Sequence, residues 1–240
     1  MSQLSPAQRE ALGALLRAAP FAKVVRDLGE RFARRDHELY LVGGTVRDAL
    51  LDRASPDVDL TTDASPDQIL AVVRARGWDD GVWLQGVRYG TVGVRKGDFR
   101  LEITTFRSDR YREDSRKPEV TFGRSVEEDL ARRDFTVNAM AVRLTDGEMT
   151  AWPGAEDDLR AGLLRVLHDR SFIDDPTRIL RAIRYEDRFG FRMIRGAAER
   201  RTNGRRRRGG RKRCEGSSVE RCHELGVTPA HHRRLEDPPK

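Results

Sequence analysis

A short apolar run that ends in two glycines is the feature that most constrains the fold of this chain. Residues 38–42 (ELYLV) form a strand pattern, Gly43 and Gly44 follow at once, and residues 45–51 (TVRDALL) begin a helix pattern. A strand, a glycine turn and a helix start in this order bring backbone N–H groups together where a phosphate can bind. Two glycines alone are more typical of an ordinary turn, and the chain has no G-x-G-x-x-G to indicate a dinucleotide fold.

A pair of aspartates lies on the next predicted strand, residues 57–62 (DVDLTT). Because strand residues two apart point to the same face, Asp57 and Asp59 present their carboxylates side by side. Two like charges at this distance favour a bound cation, and hard oxygen ligands suit Mg²⁺, which shares its coordination with substrate phosphates. Glu102, on a later strand, is a candidate third carboxylate. A chance Asp-x-Asp at a turn is the alternative, whereas a calcium loop lacks its sixth-position glycine and twelfth-position glutamate.

Apolar periodicity and capping residues predict the remaining elements. Residues 107–123 are polar, charged and without periodicity, which predicts a mobile loop. In the last predicted helix, Ile179, Leu180, Ile183 and Phe189 define an apolar face, and Arg178, Arg181 and Arg184 define another. We expect helices over residues 5–35, 65–76, 125–132, 134–142 and 175–189, and strands over 90–94 and 99–106.

Positive charge is concentrated at the end of the chain. The chain has 46 Lys and Arg, 39 Asp and Glu and a net charge of +7, and the last 47 residues hold 14 of the basic and 6 of the acidic ones. Ten of these 47 residues are hydrophobic, too few to offset an ordering entropy of about 1–2 kcal/mol per residue, so we expect a disordered tail. A frameshifted or truncated reading frame and an RNA-binding arm both explain it. The spacing of Cys214 and Cys222 matches no common zinc site.

The expected compartment is the cytoplasm. No stretch reaches the roughly 18 apolar residues of a membrane span, and the N-terminal residues lack the pattern of a secretory signal. Two cysteines give no disulfide framework, which favours a reducing environment.

Longer motifs resemble the bacterial tRNA nucleotidyltransferase/poly(A) polymerase family. Residues 41–48 (LVGGTVRD) with 57–59 (DVD) resemble its first motif, and residues 102–107 (EITTFR) resemble the strand before its flexible loop. Residues 128–141 (EDLARRDFTVNAMA) resemble its second motif and residues 174–185 (DDPTRILRAIRY) its third. The resemblance covers about residues 38–193.

The resemblance implies an α+β fold: a polymerase-β-like nucleotidyltransferase head with a mixed sheet and flanking helices, followed by the start of a helical neck and the disordered basic tail. The expected divisions are an N-terminal helical segment over residues 1–36, the head over 37–160, the start of the neck over 161–193 and the tail over 194–240.

The resemblance also implies roles for individual residues. Asp57 and Asp59 would hold Mg²⁺, with Glu102 as a further catalytic carboxylate. Guanidinium groups bind phosphate in forked pairs, which suits the arginines of the second and third motifs. For the third-motif arginines, a solvated helix face is the alternative. The implied nucleotide-binding residues are Gly43, Gly44, Arg47, Arg133, Asp134, Arg181 and Arg184.

The implied activity is Mg²⁺-dependent nucleotidyl transfer from CTP or ATP to an RNA 3′ end, with CCA addition to tRNA as the favoured reaction. A poly(A) polymerase shares the same head motifs. The family's neck carries a further Glu-Asp-x-x-Arg motif that selects the nucleotide, and no match to it follows Met193. A non-catalytic head that binds nucleotide or RNA is therefore the alternative from another class.

Overall fold

The structure, a computed structural model, describes residues 21–53, 56–78, 81–84, 89–112, 115–123 and 125–194, together with Gly13, Ala19 and Gly86. The expectations for residues 5–20, apart from the two isolated positions, and for residues 195–240 lie outside this part of the chain. The predicted division into four segments stays a prediction.

A seven-stranded mixed sheet forms the centre of the molecule, in the order β3-β4-β5-β2-β1-β8-β9. Strands β2 and β5 run parallel, and the other neighbours in this sheet are antiparallel. A hairpin of β6 and β7 and a short parallel pair of β10 and β11 stand apart from it. The strands are β1 Leu39–Val42, β2 Asp57–Thr62, β3 Val82–Trp83, β4 Thr91–Lys96, β5 Phe99–Thr105, β6 Arg107–Arg112, β7 Ser115–Phe122, β8 Met140–Arg143, β9 Met149–Ala151, β10 Leu163–Leu164 and β11 Arg192–Met193.

Helices pack on the sheet and close its apolar side. The capping box predicted at Ser65 is present, since its hydroxyl accepts from the Gln68 backbone N–H and the Gln68 side chain accepts from the Ser65 N–H. None of the helices in the described ranges is long and apolar enough to cross a membrane. The helices are α1 Ala22–Ala33, α2 Gly44–Leu50, α3 Pro66–Ala75, α4 Val126–Ala131, α5 Ala155–Ala161, α6 Ser171–Asp174 and α7 Thr177–Phe189, with a 3₁₀ turn at Thr136–Asn138.

The two faces of the central strands have different chemistry, because side chains alternate along a strand. On β2, Val58 and Leu60 are buried in the core, while Asp57, Asp59 and Thr61 point to the opposite face. The main core also contains residues of α1, α3 and α7, so these helices pack with the sheet as one body. The polar face of β2 and β5 is the floor of the candidate site.

Two predictions of local structure were wrong. Residues 107–112 and 115–122 form the strands β6 and β7, which pair with each other where a loop was predicted. Their backbone groups are paired, so this hairpin needs no apolar alternation. The helix expected over residues 134–142 is replaced by the 3₁₀ turn and β8, which pairs with both β1 and β9. A short apolar run buried within a sheet cannot be told from a buried helix by periodicity.

Candidate active site

All ten sequence-predicted site residues line one cleft of about 720 Å³. The cleft lies between the polar face of β2 and β5, the β1–α2 turn, the end of α4 and helix α7. Two residues from the predicted set, Arg181 and Arg184, come from α7, more than 120 positions after Asp57. The fold thus brings together residues from all three sequence motifs.

Gly43 and Gly44 form the turn between β1 and α2. Gly43 has φ +66° and ψ −127°, a conformation that residues with a side chain rarely adopt. A Cβ added to Gly43 would lie 3.2 Å from an amino nitrogen of Arg133, and one on Gly44 would lie 3.7 Å from Asp59 Oδ2. The turn therefore brings backbone close to both an arginine and a candidate metal ligand.

The three predicted carboxylates lie on the same polar face. Asp59 is directly opposite Glu102 on the neighbouring strand, and Asp57 is opposite Arg100. The backbone N–H of Asp59 donates to the Thr45 hydroxyl at 2.8 Å, which ties β2 to the start of α2.

The carboxylates sit in an environment that a cation would stabilise. Burial raises the pKa of Asp59, Asp57 adds to that increase, and Arg133 opposes it. Burial also raises the pKa of Glu102, with Asp59 as the next contribution. Both shifts show that negative charge is crowded on this face.

Arg133 is held by a buried carboxylate that the sequence did not single out. Asp129, one helical turn earlier, accepts from Arg133 Nη2 at 2.6 Å and from Arg132 at 2.7 and 3.0 Å. Burial raises the pKa of the Asp129 carboxyl, but Arg133 and Arg132 outweigh burial and hold the pKa below its usual range. The Nε of Arg133 is buried and has no hydrogen-bond partner within the described ranges.

A ring of hydrogen bonds joins the second motif to α7. Asp134 accepts from Asn138 at 2.8 Å and from Arg181 Nε at 2.6 Å. The Tyr185 hydroxyl accepts from Arg181 at 2.8 Å and from Asn138 at 3.3 Å, which closes the ring. Burial raises the pKa of the Asp134 carboxyl, but Arg181 and the hydrogen bonds outweigh burial and hold the pKa below its usual range. Asn138 and Tyr185 are site residues that sequence reasoning missed.

Arg47 is buried and engaged with the protein. Its guanidinium donates to Asp48 at 2.7 and 2.8 Å and to the Asn138 side chain, and it lies 5.0 Å from the Tyr185 ring centre and 4.5 Å from that of Phe189. In this arrangement Arg47 links α2 to the 3₁₀ turn and to α7, and its direct contact with a phosphate stays a prediction.

The three arginines of the third motif line the same cleft but differ in burial. Arg178 is buried and donates to the Ser171 hydroxyl and, at 3.1 Å, to the Arg132 carbonyl. Arg184 is exposed at the cleft and makes no hydrogen bond or ion pair with the described residues. The apolar face is also narrower than predicted, because Ile179 is buried whereas Leu180 is 46% exposed.

The donor set at Asp57 and Asp59 fits Mg²⁺, since hard carboxylate oxygens at a crowded anionic face are the ligands this ion takes. No group of three or more His, Cys, Asp or Glu side chains in the described part of the chain is arranged to hold a metal. The binding of Mg²⁺ by Asp57 and Asp59 stays a prediction, and so does a catalytic role for Glu102.

The chain is similar to known proteins of one family. Residues 39–165 match the family described as the poly(A) polymerase head domain. The CCA-adding enzyme of Lactobacillus helveticus is 38% identical over 181 residues, which cover 74% of this chain and 42% of that protein. The CCA-adding enzyme of Bacillus subtilis is 37% identical over 182 residues, which again cover 74% of this chain and 42% of that protein.

Solved structures show the same fold. The Bacillus stearothermophilus CCA-adding enzyme in complex with CTP has a TM-score of 0.60 and 31% identity, covering 81% of this chain and 42% of that one. The Thermotoga maritima CCA-adding enzyme complexed with tRNA has a TM-score of 0.63 and 34% identity. The match covers 76% of this chain and 42% of that one.

The fold, the cleft and these similarities define a nucleotidyltransferase head, and the chain belongs to the family of CCA-adding tRNA nucleotidyltransferases and poly(A) polymerases. It spans about two fifths of the length of the relatives it matches.

Proposed function

We propose that this chain transfers a nucleotide from CTP or ATP to the 3′ end of an RNA in an Mg²⁺-dependent reaction, and that the RNA is tRNA receiving its CCA end. One observation supports this most directly: a single cleft joins the Asp57–Asp59 pair to the Gly43–Gly44 turn and to the arginines of α7. Carboxylates for a metal and arginines for phosphates are the two components that phosphoryl transfer requires.

The triphosphate binds at the β1–α2 turn and along the α7 side of the cleft. Gly44 allows phosphate oxygens to approach the backbone, and the exposed Arg184 supplies a guanidinium at the cleft. Arg133 contributes its charge beside the turn, with Asp129 fixing its orientation. Asp134 contacts the ribose or positions Arg181, to which it is hydrogen-bonded.

In the transfer step, the 3′ hydroxyl oxygen of the RNA attacks the α-phosphorus of the nucleotide, and the hydroxyl proton passes to water. A new O–P bond forms, the bond between the α-phosphorus and its bridging oxygen breaks, and pyrophosphate leaves with the electron pair. In this step Arg133 and Arg184 stabilise the charge on the leaving pyrophosphate. A bound Mg²⁺ on Asp57 and Asp59 would supply Lewis-acid charge stabilisation and lower the pKa of the attacking hydroxyl.

The substrates are inferred from relatives. A CCA-adding enzyme has been solved with CTP, one with ATP and one with tRNA, each at more than 30% identity to this chain. Because the chain spans about two fifths of such relatives, its own substrates, and the expected cytoplasmic location, remain proposals.

The test incubates the purified chain with tRNA lacking its CCA end, Mg²⁺ and each labelled triphosphate in turn. Incorporation of CMP followed by AMP supports CCA addition. Incorporation of AMP alone, without a requirement for CTP, indicates the poly(A) polymerase alternative. Nucleotide binding without any transfer identifies a non-catalytic head and rejects the proposed reaction.

A further inference from the structure

Trp83 lies in the same cross-strand row as two candidate catalytic carboxylates. On the sheet, Trp83 is opposite Gly93, Gly93 is opposite Glu102, and Glu102 is opposite Asp59. Residues that face each other across paired strands point to the same side, so the indole shares the face of the candidate site. At about 4.8 Å per strand, Trp83 lies about 10 Å from Glu102 across the sheet.

Gly93 makes room for the indole. A Cβ on Gly93 would lie 1.8 Å from Cε2 and 2.2 Å from Cζ2 of Trp83, so no other residue at this position allows the indole to lie where it does. The Arg100 guanidinium lies over the ring, 4.9 Å from its centre. Because the Arg100 side chain is 60% exposed, it can move aside for another planar group.

A second hollow, of about 550 Å³, connects this tryptophan to the candidate site. Its lining includes Trp83, Phe99, Arg95 and Arg100, and it shares Asp57 and Arg100 with the main cleft. Its volume is in the range of pockets that take small molecules, about 300–1,000 Å³. An aromatic ring next to two arginines is the combination that binds a base and its phosphate in single-stranded nucleic acid.

The two sides of the carboxylates therefore carry different candidate binding groups. Gly43, Gly44 and the α7 arginines lie on the β1 side of Asp59, whereas Trp83 and its hollow lie on the β4 side. Phosphoryl transfer places the attacking oxygen and the leaving group roughly in line on opposite sides of the phosphorus. With the triphosphate on the β1 side, the β4 side is left for the strand that carries the attacking hydroxyl.

Building on the proposed function, we propose that Trp83 is the stacking residue for a base at the 3′ end of the single-stranded RNA acceptor, with Arg95 and Arg100 contacting its phosphates. The indole holds the acceptor end beside Glu102 and Asp57, and the Arg100 guanidinium occupies the ring face until a base displaces it.

The test measures the binding of a short single-stranded RNA with a free 3′ hydroxyl. Binding is monitored by the quenching of tryptophan fluorescence and, separately, by the fluorescence anisotropy of a labelled copy of the same RNA. It is run at about 0.2 M salt to weaken nonspecific binding by the basic residues 194–240. Trp83→Phe keeps a stacking ring, so its affinity stays within about threefold of wild type while most of the quenching disappears. Trp83→Ala lowers the affinity about tenfold, as expected for the loss of one stacked base.

Leu84→Ala is the matched control, because Leu84 is the exposed neighbour on the same strand end and should leave both signals unchanged. Stabilisation by CTP and Mg²⁺ should be equal in all variants. Quenching that persists in Trp83→Phe, or wild-type affinity in Trp83→Ala, overturns the proposal. Equal loss of RNA binding and CTP stabilisation in Trp83→Ala shows a structural role and also overturns it. Because no readout requires catalysis, absence of nucleotide transfer would reject the proposed function separately.

Discussion

Asp59 is the single residue on which most of the candidate chemistry depends. It is opposite Glu102, close to the Gly44 backbone and anchored to Thr45 through its own N–H. We expect Asp59→Ala to abolish Mg²⁺-dependent transfer, because the cation loses one of its two carboxylates, while the melting temperature stays close to that of wild type. Incorporation of labelled nucleotide and thermal melting measure the two effects.

The matched control is Asp67→Asn, which changes an exposed acid at the start of α3, away from the cleft. It should transfer nucleotide at the wild-type rate. Normal turnover in Asp59→Ala would remove Asp59 from the metal site.

Tyr185 tests whether the hydrogen-bonded ring positions Arg181. Tyr185→Phe removes the hydroxyl that accepts from Arg181 and Asn138 but keeps the ring over Arg47. Because hydrogen bonds to charged groups contribute about 1.5–3 kcal/mol, we expect the KM for CTP to rise roughly tenfold with little change in kcat. Steady-state kinetics check this, and a fall in kcat at unchanged KM would contradict a positioning role.

At the level of elements, α4 serves as the support for the second-motif arginines. Asp129 is fully buried and paired with both Arg132 and Arg133. Removing one partner of a buried ion pair leaves uncompensated charge, so we expect Asp129→Asn to reduce the free energy of unfolding by about 3 kcal/mol. Glu127→Gln, an exposed acid on the same helix, is the control and should change stability by less than about 0.5 kcal/mol.

The same substitution predicts a change in acid stability. The arginines hold the pKa of folded Asp129 below its ordinary value of 3.8, so its stabilising contribution is present above pH 3.8 and is lost as the pH falls through the folded value. Melting temperatures of wild type should therefore fall more steeply than those of Asp129→Asn below about pH 4. Parallel curves for the two proteins would show that Asp129 does not carry this pH dependence.

Elements with local signals were predictable, and elements defined by distant partners were not. Ser65 caps α3 through residues three positions away, and β2 alternates in a way that reveals both its core side and its acidic side. In contrast, β8 is a strand because β1 and β9 lie beside it, and nothing in its own apolar run distinguishes it from a helix. The same holds for the site: spacing reveals Asp57 and Asp59, but the Arg47–Asn138 contact spans 91 positions and needs the fold.

At the scale of the whole molecule, nucleotide binding should stabilise the fold. A ligand that binds the folded state alone at 100 times its Kd adds about 2.7 kcal/mol, which corresponds to roughly 5–10 °C in Tm for a chain of this size. We expect CTP or ATP with Mg²⁺ to produce such a shift in thermal melting. Chelation of Mg²⁺ and the Asp59→Ala variant are the controls, and both should reduce the shift. No shift at millimolar nucleotide would contradict an assembled pocket.

The parallel pairing of β2 with β5 has a consequence for the order of folding. Asp59 and Glu102 become neighbours only after the 42 intervening residues have formed a crossover through α3, β3 and β4, and Asp134 and Arg181 join later still. Contacts between residues so far apart in sequence form slowly, because the chain loses loop entropy before it gains contact energy. During synthesis the cleft therefore cannot assemble until α7 has emerged from the ribosome, and nascent chains stalled before Thr177 should not retain nucleotide.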